Sequence, residues 1–519
     1  MAAKLQSYIQ GDWYSAPDEG LPLLDAATGA EVARVSAQGV DADAALRYAR
    51  NVGGPALREL TFRQRAALLK ALGKHLTEHA ADFYELSTRT GATRRDSAFD
   101  VDGGIAVLFV YGSKGAKELP DGHVIPDADI EQIGKRGTFG IRHLYVPLRG
   151  VALQINAFNF PVWGMLEKLA PALLAGVPCV VKPASQTAYL TELVFRRIIE
   201  SGILPAGAVQ LVCGRPDGLL DALTGQDLLS VTGSAGTART LRTHPVVAGN
   251  AVRLNAEADS LNCSVLGPDA APGTPEFDLF TTQLVTEMTV KAGQKCTAIR
   301  RALVPTALID EVEQAVRAKL AEVTVGNPAD PSVTMGALAS LHQREEVLRC
   351  VKTLTAAARV VHGDPDHFDL VDADRERGAF LPPLLLRCDE PDRAEPHEVE
   401  AFGPVSTLLP YEGPAHAVEL AARGEGSLVG SIVSHDHDFA REVVLGAAPW
   451  HGRLLVLDRD DAGESTGHGS PLPHTVHGGP GRAGGGEELG GIRGVLHHMQ
   501  RTAVQGPPAL LAAISESQV

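Results

Sequence analysis

The chain has 519 residues, 44% of them hydrophobic and 21% charged, with 47 Lys and Arg against 63 Asp and Glu. That length allows several domains with sizeable cores, and the composition excludes wholesale disorder. A net charge of −16 argues against a general nucleic-acid binder, which needs a basic face, but leaves room for a local basic pocket. The opening MAAKLQSYIQGDW lacks an apolar signal core. The most apolar stretch, residues 169–181, is too short to span a bilayer and carries Pro171 and Pro178. A cytoplasmic protein outside the membrane is expected. Six irregularly spaced cysteines with no CxxC pair indicate neither a disulfide framework nor a cysteine zinc motif.

In chain order, residues 55–90 carry helical periodicity through Leu57, Leu60, Arg63 and Ala66 into AALLKALGKHL. Residues 113–145 are polar and interrupt that helical set, which suggests a hairpin or arm. From residue 151 strand and helix patterns alternate: strand 151–155, helix 161–174, strand 179–182, helix 186–201, strand 208–213, helix 216–224, strand 228–233 and helix 235–242. The alternation predicts a parallel sheet with helices on both faces, which binds nucleotides at the carboxyl ends of its strands. Beyond Glu257 a second α/β set follows, with helices over 277–291 and 309–322 and a strand at 301–305. The tail from 478 is glycine-rich, then holds a short Met/His stretch and what reads as a flexible terminus.

Six places stand out for their chemistry. Cys296 sits in KAGQKCTAIRR, a polar turn after a helix, where Lys295 and oriented amides could lower a thiol pKa. Its plainer reading is a buried structural cysteine. Asn159 in AFNFPVW precedes a helix start, as an oxyanion donor or simply an N-cap. Lys182 and Ser185 in VVKPASQ end an apolar strand, facing a cleft or merely solvent. VTGSAGTA, with Gly233, Ser234 and Gly236, offers free amides to a phosphate or makes an ordinary serine-capped turn. Glu257 follows an apolar strand and is either a general base or a surface carboxylate. Glu400 and Phe402 lie in VEAFGPV, where turn chemistry alone would account for them. The histidine pairs 435/437, 474/477 and 497/498 lack HExxH or Cys/His context, so no metal is expected. Asp458, Asp460, Asp461 and Glu464 read as a solvated loop.

In their order along the chain, FNFP, VKPAS, VTGS, the glutamate, GQKC and EAFGPV resemble the aldehyde dehydrogenase superfamily. FNFPVWGMLEKLAPALLAG and PLPHTVHGGPGRAGGGEELGG bring the resemblance closer to the CoA-linked semialdehyde dehydrogenases of aromatic-acid degradation, including the type acting on 3,4-dehydroadipyl-CoA semialdehyde. Another of these is the dehydrogenase half of the phenylacetate ring-opening protein; this chain has no room for the hydratase fused to it and is expected to be a free-standing form.

The resemblance implies an α/β fold: a Rossmann-like cofactor domain (1–112 and 146–256), an α/β catalytic domain (257–475) and a small β oligomerisation arm with the C-terminal tail (113–145 and 476–519). It implies Cys296 as the nucleophile, Asn159 and the Cys296 amide as oxyanion hole, and Glu257 as the base that hydrolyses a thioester. A proton path from Glu257 through Lys168 to Glu488 is implied as well. Cofactor contacts fall to Lys182, Ser185, Gly233, Ser234, Gly236, Glu400 and Phe402. Many NAD-preferring relatives carry glutamate where this chain has Ser185, so NADP is expected to be preferred and NAD to be usable. The remaining expectations are a small-molecule aldehyde substrate, CoA-linked, and a homodimer or dimer of dimers. The sequence departs from the family in NAEADS around Glu257 and in a long stretch before Cys296. A CoA-acylating relative, generally without Glu257, and a non-enzymatic descendant, without thiol or Asn159, are the rival readings.

Overall fold

A computed structural model describes residues 3–516. Two seven-stranded sheets organise them. In the first, the order is Arg253–Glu257, Leu228–Thr232, Ala152–Ile155, Cys179–Lys182 and Val209–Leu211, all parallel, extended by the antiparallel Ser7–Ile9 and Asp12–Tyr14. The chain adds strands in one direction from Ala152–Ile155, then returns to its other side with Leu228–Thr232. That reversal opens a crevice at the carboxyl ends of Ala152–Ile155, Cys179–Lys182 and Leu228–Thr232. These strands are buried on both faces, which accounts for their unbroken apolar runs.

The second sheet runs Arg359–His362, Leu384–Arg387, Val405–Tyr411, Arg301–Pro305, Cys263–Leu266, Ser427–Val433 and His451–Leu457, antiparallel only at its first pair. Separate apolar clusters cover its two faces. A third, antiparallel sheet joins Ile125–Gln132, Gly140–Pro147 and Met499–Gly506.

One helix matters more than the rest. Trp163–Ala175 is buried at every residue from Met165 to Ala175, so its near-continuous apolar character follows from burial all round. Within it Glu167 and Lys168 are charged and still buried. Its start is capped from a distance: Asp100 Oδ1 accepts from the amides of Val162 (3.2 Å) and Trp163 (2.8 Å).

Three sequence expectations change. Residues 216–224 form turns rather than a helix, because Gly218 takes a left-handed φ of 71° in the middle of a short run between Pro216 and Gly225. The long helix Arg94–Glu118 takes up residues 113–118, and the hairpin begins only at Ile125. The terminus expected to be flexible is instead a strand, Met499–Gly506, and a helix, Pro508–Glu516. The strand pairs along its whole length with Gly140–Pro147, which satisfies its backbone.

Candidate active site

After the helix Pro275–Thr289 the chain reverses through three consecutive left-handed residues, Lys291 (φ 56°), Ala292 (50°) and Gly293 (67°). Two of these are not glycine, so the turn has to be held from outside. Asp96 Oδ1 accepts from the Lys291 amide at 2.8 Å. Arg300 donates to the carbonyls of Gly293 (2.8 Å) and Lys295 (3.2 Å). The Gln294 side chain spans the Lys291 carbonyl and the Ala339 amide. A Cβ at Gly293 would collide with the Gly403 carbonyl, so glycine is required for space as well as for φ. This turn presents Cys296, while the other five free cysteines are buried.

Lys295 does not bring the thiol below its usual pKa, as the sequence suggested it could, because its pull is outweighed. Its ammonium is paired with Glu287 at 2.8 Å. Burial, reinforced by the Glu257 carboxylate and only partly offset by Lys295, holds the Cys296 thiol well above its usual value.

Asn159 is no N-cap, since Asp100 fills that role. Its Nδ2 donates one hydrogen to the Gln294 carbonyl at 3.0 Å, leaving a second for another acceptor beside Cys296. Glu257 ends its strand 1% exposed, with neither carboxylate oxygen in a hydrogen bond. Its nearest charged neighbour is His477, whose Nε2 lies 3.4 Å from Glu257 Oε1 and 3.8 Å from Cys296 Sγ.

His477 was only part of a discounted histidine pair in the sequence. It reaches the site because Val476–Gly478 pairs antiparallel with Glu487–Leu489, setting His477 opposite Glu488. The glycines that follow fold over the end of the Glu257 strand, and a Cβ at Gly484 or Gly486 would strike the Ala256 carbonyl. His477 Nδ1 meets Glu167 Oε2 at 3.1 Å, and Trp163 Nε1 donates to the same oxygen at 3.0 Å. Lys168 then bridges Glu167 (3.1 Å) and Glu488 (2.7 Å). Burial alone would depress His477, but the Glu257 and Glu167 charges outweigh it and hold it above its ordinary pKa. Burial pushes Glu488 up to about 7 despite Lys168 beside it.

The cofactor candidates line one cavity of about 640 Å³ that reaches Cys296 and Glu257. Lys182, Ser185, Gly233, Ser234, Glu400 and Phe402 all face it; Gly236 is not among the residues that line it. Ser234 caps the helix Ala235–Arg242, accepting from the Thr237 amide at 3.2 Å, while Asp259 takes the Ala235 amide. Gly233 and Gly236 have ordinary φ, and a Cβ there would meet no protein atom closer than 3.7 Å. The protein's own packing therefore does not require glycine at either position. Lys182 is lowered to about 8 by burial and by Arg215, a cavity residue the sequence did not single out. Glu400 accepts from the Ser260 amide at 3.1 Å, lies 3.7 Å from Arg300 Nε and is raised by burial to about 7. On the other side of Cys296 a narrow space of about 40 Å³ is walled by Phe99, Phe160 and Trp163.

Among known proteins, the aldehyde dehydrogenase family profile matches residues 13–447. The chain is 46% identical over 479 residues to 3,4-dehydroadipyl-CoA semialdehyde dehydrogenase of Aromatoleum evansii, covering 92% of this chain and 93% of that one. It is 54% identical over 187 residues to Protein MaoC of Klebsiella aerogenes, covering 36% of this chain and 54% of that one. In three dimensions it resembles betaine aldehyde dehydrogenase from Staphylococcus aureus in complex with NAD+ (TM-score 0.82, 23% identity, 99% of this chain and 96% of that one). No helix among the described residues is long and apolar enough to cross a membrane. With the α/β fold, the motif order and this family match in agreement, the chain belongs to the aldehyde dehydrogenase family and is an aldehyde dehydrogenase.

Proposed function

We propose that this enzyme oxidises a CoA-linked semialdehyde of the 3,4-dehydroadipyl-CoA type to the free acid, preferring NADP and accepting NAD, in the cytoplasm. One observation carries the reading. A thiol, a buried carboxylate without hydrogen bonds and a spare amide N–H converge where a large polar cavity meets a narrow aromatic one. The 46% identical relative supports the substrate class.

In this reading Cys296 gives up its proton to solvent and its Sγ attacks the aldehyde carbon, with a Glu257 oxygen within 4.8 Å held in reserve for the later hydrolysis. The oxyanion is met by the free Asn159 N–H and the Cys296 amide. Lys182, Ser185, Ser234 and Glu400 would hold a nicotinamide cofactor in the large cavity, which when bound would supply the hydride acceptor. Glu257 then takes a proton from water for attack on the thioester. Lys168 and Glu488 extend the proton path, and a carboxyl near pH 7 can both take up and release a proton under neutral conditions.

The cavity fits the cofactor in three respects. Glycines 233 and 236 leave room for a close-approaching pyrophosphate next to Ser234. Burial and the Arg215 charge depress the protonation of Lys182, which an anionic 2′-phosphate would restore, and the short Ser185 leaves space for it. Glu400 and Phe402 remain for the nicotinamide end. Residues 1–112 with 146–256 then serve the cofactor and 257–475 the thiol. Residues 113–145 with 476–519 serve assembly, apart from His477 and Glu488, which line the site. A homodimer or dimer of dimers accords with exposed Trp450 and Val456 at the free edge of the second sheet and exposed Phe139 and Leu510 near the third.

Glu257→Gln tests the mechanism. The amide keeps the shape but takes no proton, so a burst of reduced cofactor stoichiometric with sites should precede a stalled steady state. Loss of the burst together with turnover would move Glu257 to an earlier step. CoA-linked and free semialdehydes compared by kcat/KM test the substrate class.

A further inference from the structure

We propose that Cys296, His477 and Glu257 form a reversible inhibitory site for Zn²⁺. The three ligand atoms lie within 4.8 Å of one another, and the two distances from His477 Nε2 fit one tetrahedral ion. With Zn–S near 2.3 Å and Zn–N and Zn–O near 2.0–2.1 Å, tetrahedral angles set S and N about 3.6 Å apart and N and O about 3.3 Å apart. Cys296 Sγ to His477 Nε2 is 3.8 Å, and His477 Nε2 to Glu257 Oε1 is 3.4 Å.

Two independent features point to a ligand at this spot. Glu257 is almost completely buried with both oxygens lacking a hydrogen bond, an arrangement that a cation would compensate. His477 is already oriented as a metal ligand: its Nδ1–H faces Glu167, itself fixed by the Trp163 N–H, so Nε2 is left to point at the thiol. A carboxylate behind the second ring nitrogen is the usual support of zinc-binding imidazoles. The fourth position opens onto the narrow aromatic cavity, where water or a substrate oxygen completes the shell. The sequence showed no such motif because the ligands come from three segments more than thirty residues apart.

On binding, the S–H bond of Cys296 breaks, the His477 ring, where it carries a proton on Nε2, loses it, Zn–S and Zn–N bonds form and the released protons leave to solvent; zinc undergoes no redox change. That occupancy stops turnover rests on Cys296 being the nucleophile, but binding itself does not. Two other places contain part of the chemistry. His435, His437 and Asp458 cluster at the surface without sulfur, and Cys263 lies 3.6 Å from His451 Nε2 without a carboxylate in the cluster.

Chelator-treated enzyme titrated with Co²⁺ separates these possibilities. The expected result is a near-ultraviolet thiolate-to-cobalt band with intense tetrahedral visible bands, all displaced by Zn²⁺. Affinity should fall by more than about 100-fold in His477→Asn and in Glu257→Gln, beyond the roughly 10–100-fold loss expected when only an outer partner of a zinc ligand is removed. In the unmodified enzyme, Zn²⁺ should protect Cys296 from iodoacetamide, as read by peptide mass spectrometry, and inhibition should reverse with EDTA. No thiolate band at millimolar cobalt, unchanged affinity in a natively folded His477→Asn, or alkylation undiminished by zinc would each overturn the site. Binding at Cys296 without inhibition would overturn its inhibitory role and the nucleophile assignment together.

Discussion

On one side of Cys296 lies a cavity of about 640 Å³ edged by Lys182, Ser185, Arg215 and the 233–236 turn; on the other, about 40 Å³ between aromatic rings and a chain of buried charges. The first is wide, polar and underpacked, with glycines that the fold itself does not need. The second is nearly full. Its charges, His477, Glu167, Lys168 and Glu488, are already linked to one another before any ligand arrives. The difference separates two tasks. A large diffusing cofactor needs space and a few fixed contacts, whereas proton transfer needs groups preset within hydrogen-bond reach.

The largest effect should come from the point where the two sides meet. Cys296→Ala is expected to lower kcat by about 10⁴-fold or more while cofactor binding, measured by fluorescence titration, stays near wild type. Loss of both would mean the two cavities are not separable. Next comes the full side. Lys168→Met leaves the buried Glu488 without its cation and should cost about 3 kcal/mol in denaturant unfolding. Adding Glu488→Gln to it should restore part of that loss, since the double change removes the unpaired carboxylate. Additive losses would show that the pair is not the unit described.

On the open side, Ser185→Glu should shift the ratio of kcat/KM for NADP over NAD by about 100-fold towards NAD, through like-charge contact with a 2′-phosphate. An unchanged ratio would remove Ser185 from the 2′ position. The smallest effect concerns pH. Lys182, lowered to about 8, is charged below that value and neutral above it. NADP affinity should therefore be full at pH 7 and weaken several-fold as pH rises through and beyond about 8, with NAD affinity flat. Parallel profiles for the two cofactors would count against a Lys182–phosphate contact.

What the sequence made legible follows the same division. Residues on strand ends could be placed from alternation alone: Lys182, Gly233 and Glu257 each end a strand of the first sheet or follow it directly. Cys296 was legible through its turn, though its pKa direction was not, because the Lys295–Glu287 pair is a contact between residues eight apart that no spacing rule specifies. His477 escaped entirely. It depends on a three-residue strand inside a glycine-rich stretch that reads as low complexity. Glu167 did leave a signal, two adjacent charges within an otherwise apolar helix, and such a pair is best read as buried and partnered. Arg215 left none, since it follows its strand in an irregular loop.

The left-handed turn before Cys296 has a further mechanical consequence. Gly293 abuts the Gly403 carbonyl, and Arg300 holds both, donating to Gly403 at 2.7 Å and to Gly293 at 2.8 Å. Gln343 ties the Phe402 carbonyl into the same assembly. The segment that carries Glu400 and Phe402 and the segment that carries the thiol are thus two ends of one stiff lever with a guanidinium as its pivot. A pull on the 400–403 segment therefore loads the same hydrogen bonds that hold the turn of the sulfur. By thermodynamic reciprocity, a ligand bound at the sulfur and one bound at the 400–403 segment must change each other's affinity by the same factor, whatever that factor is.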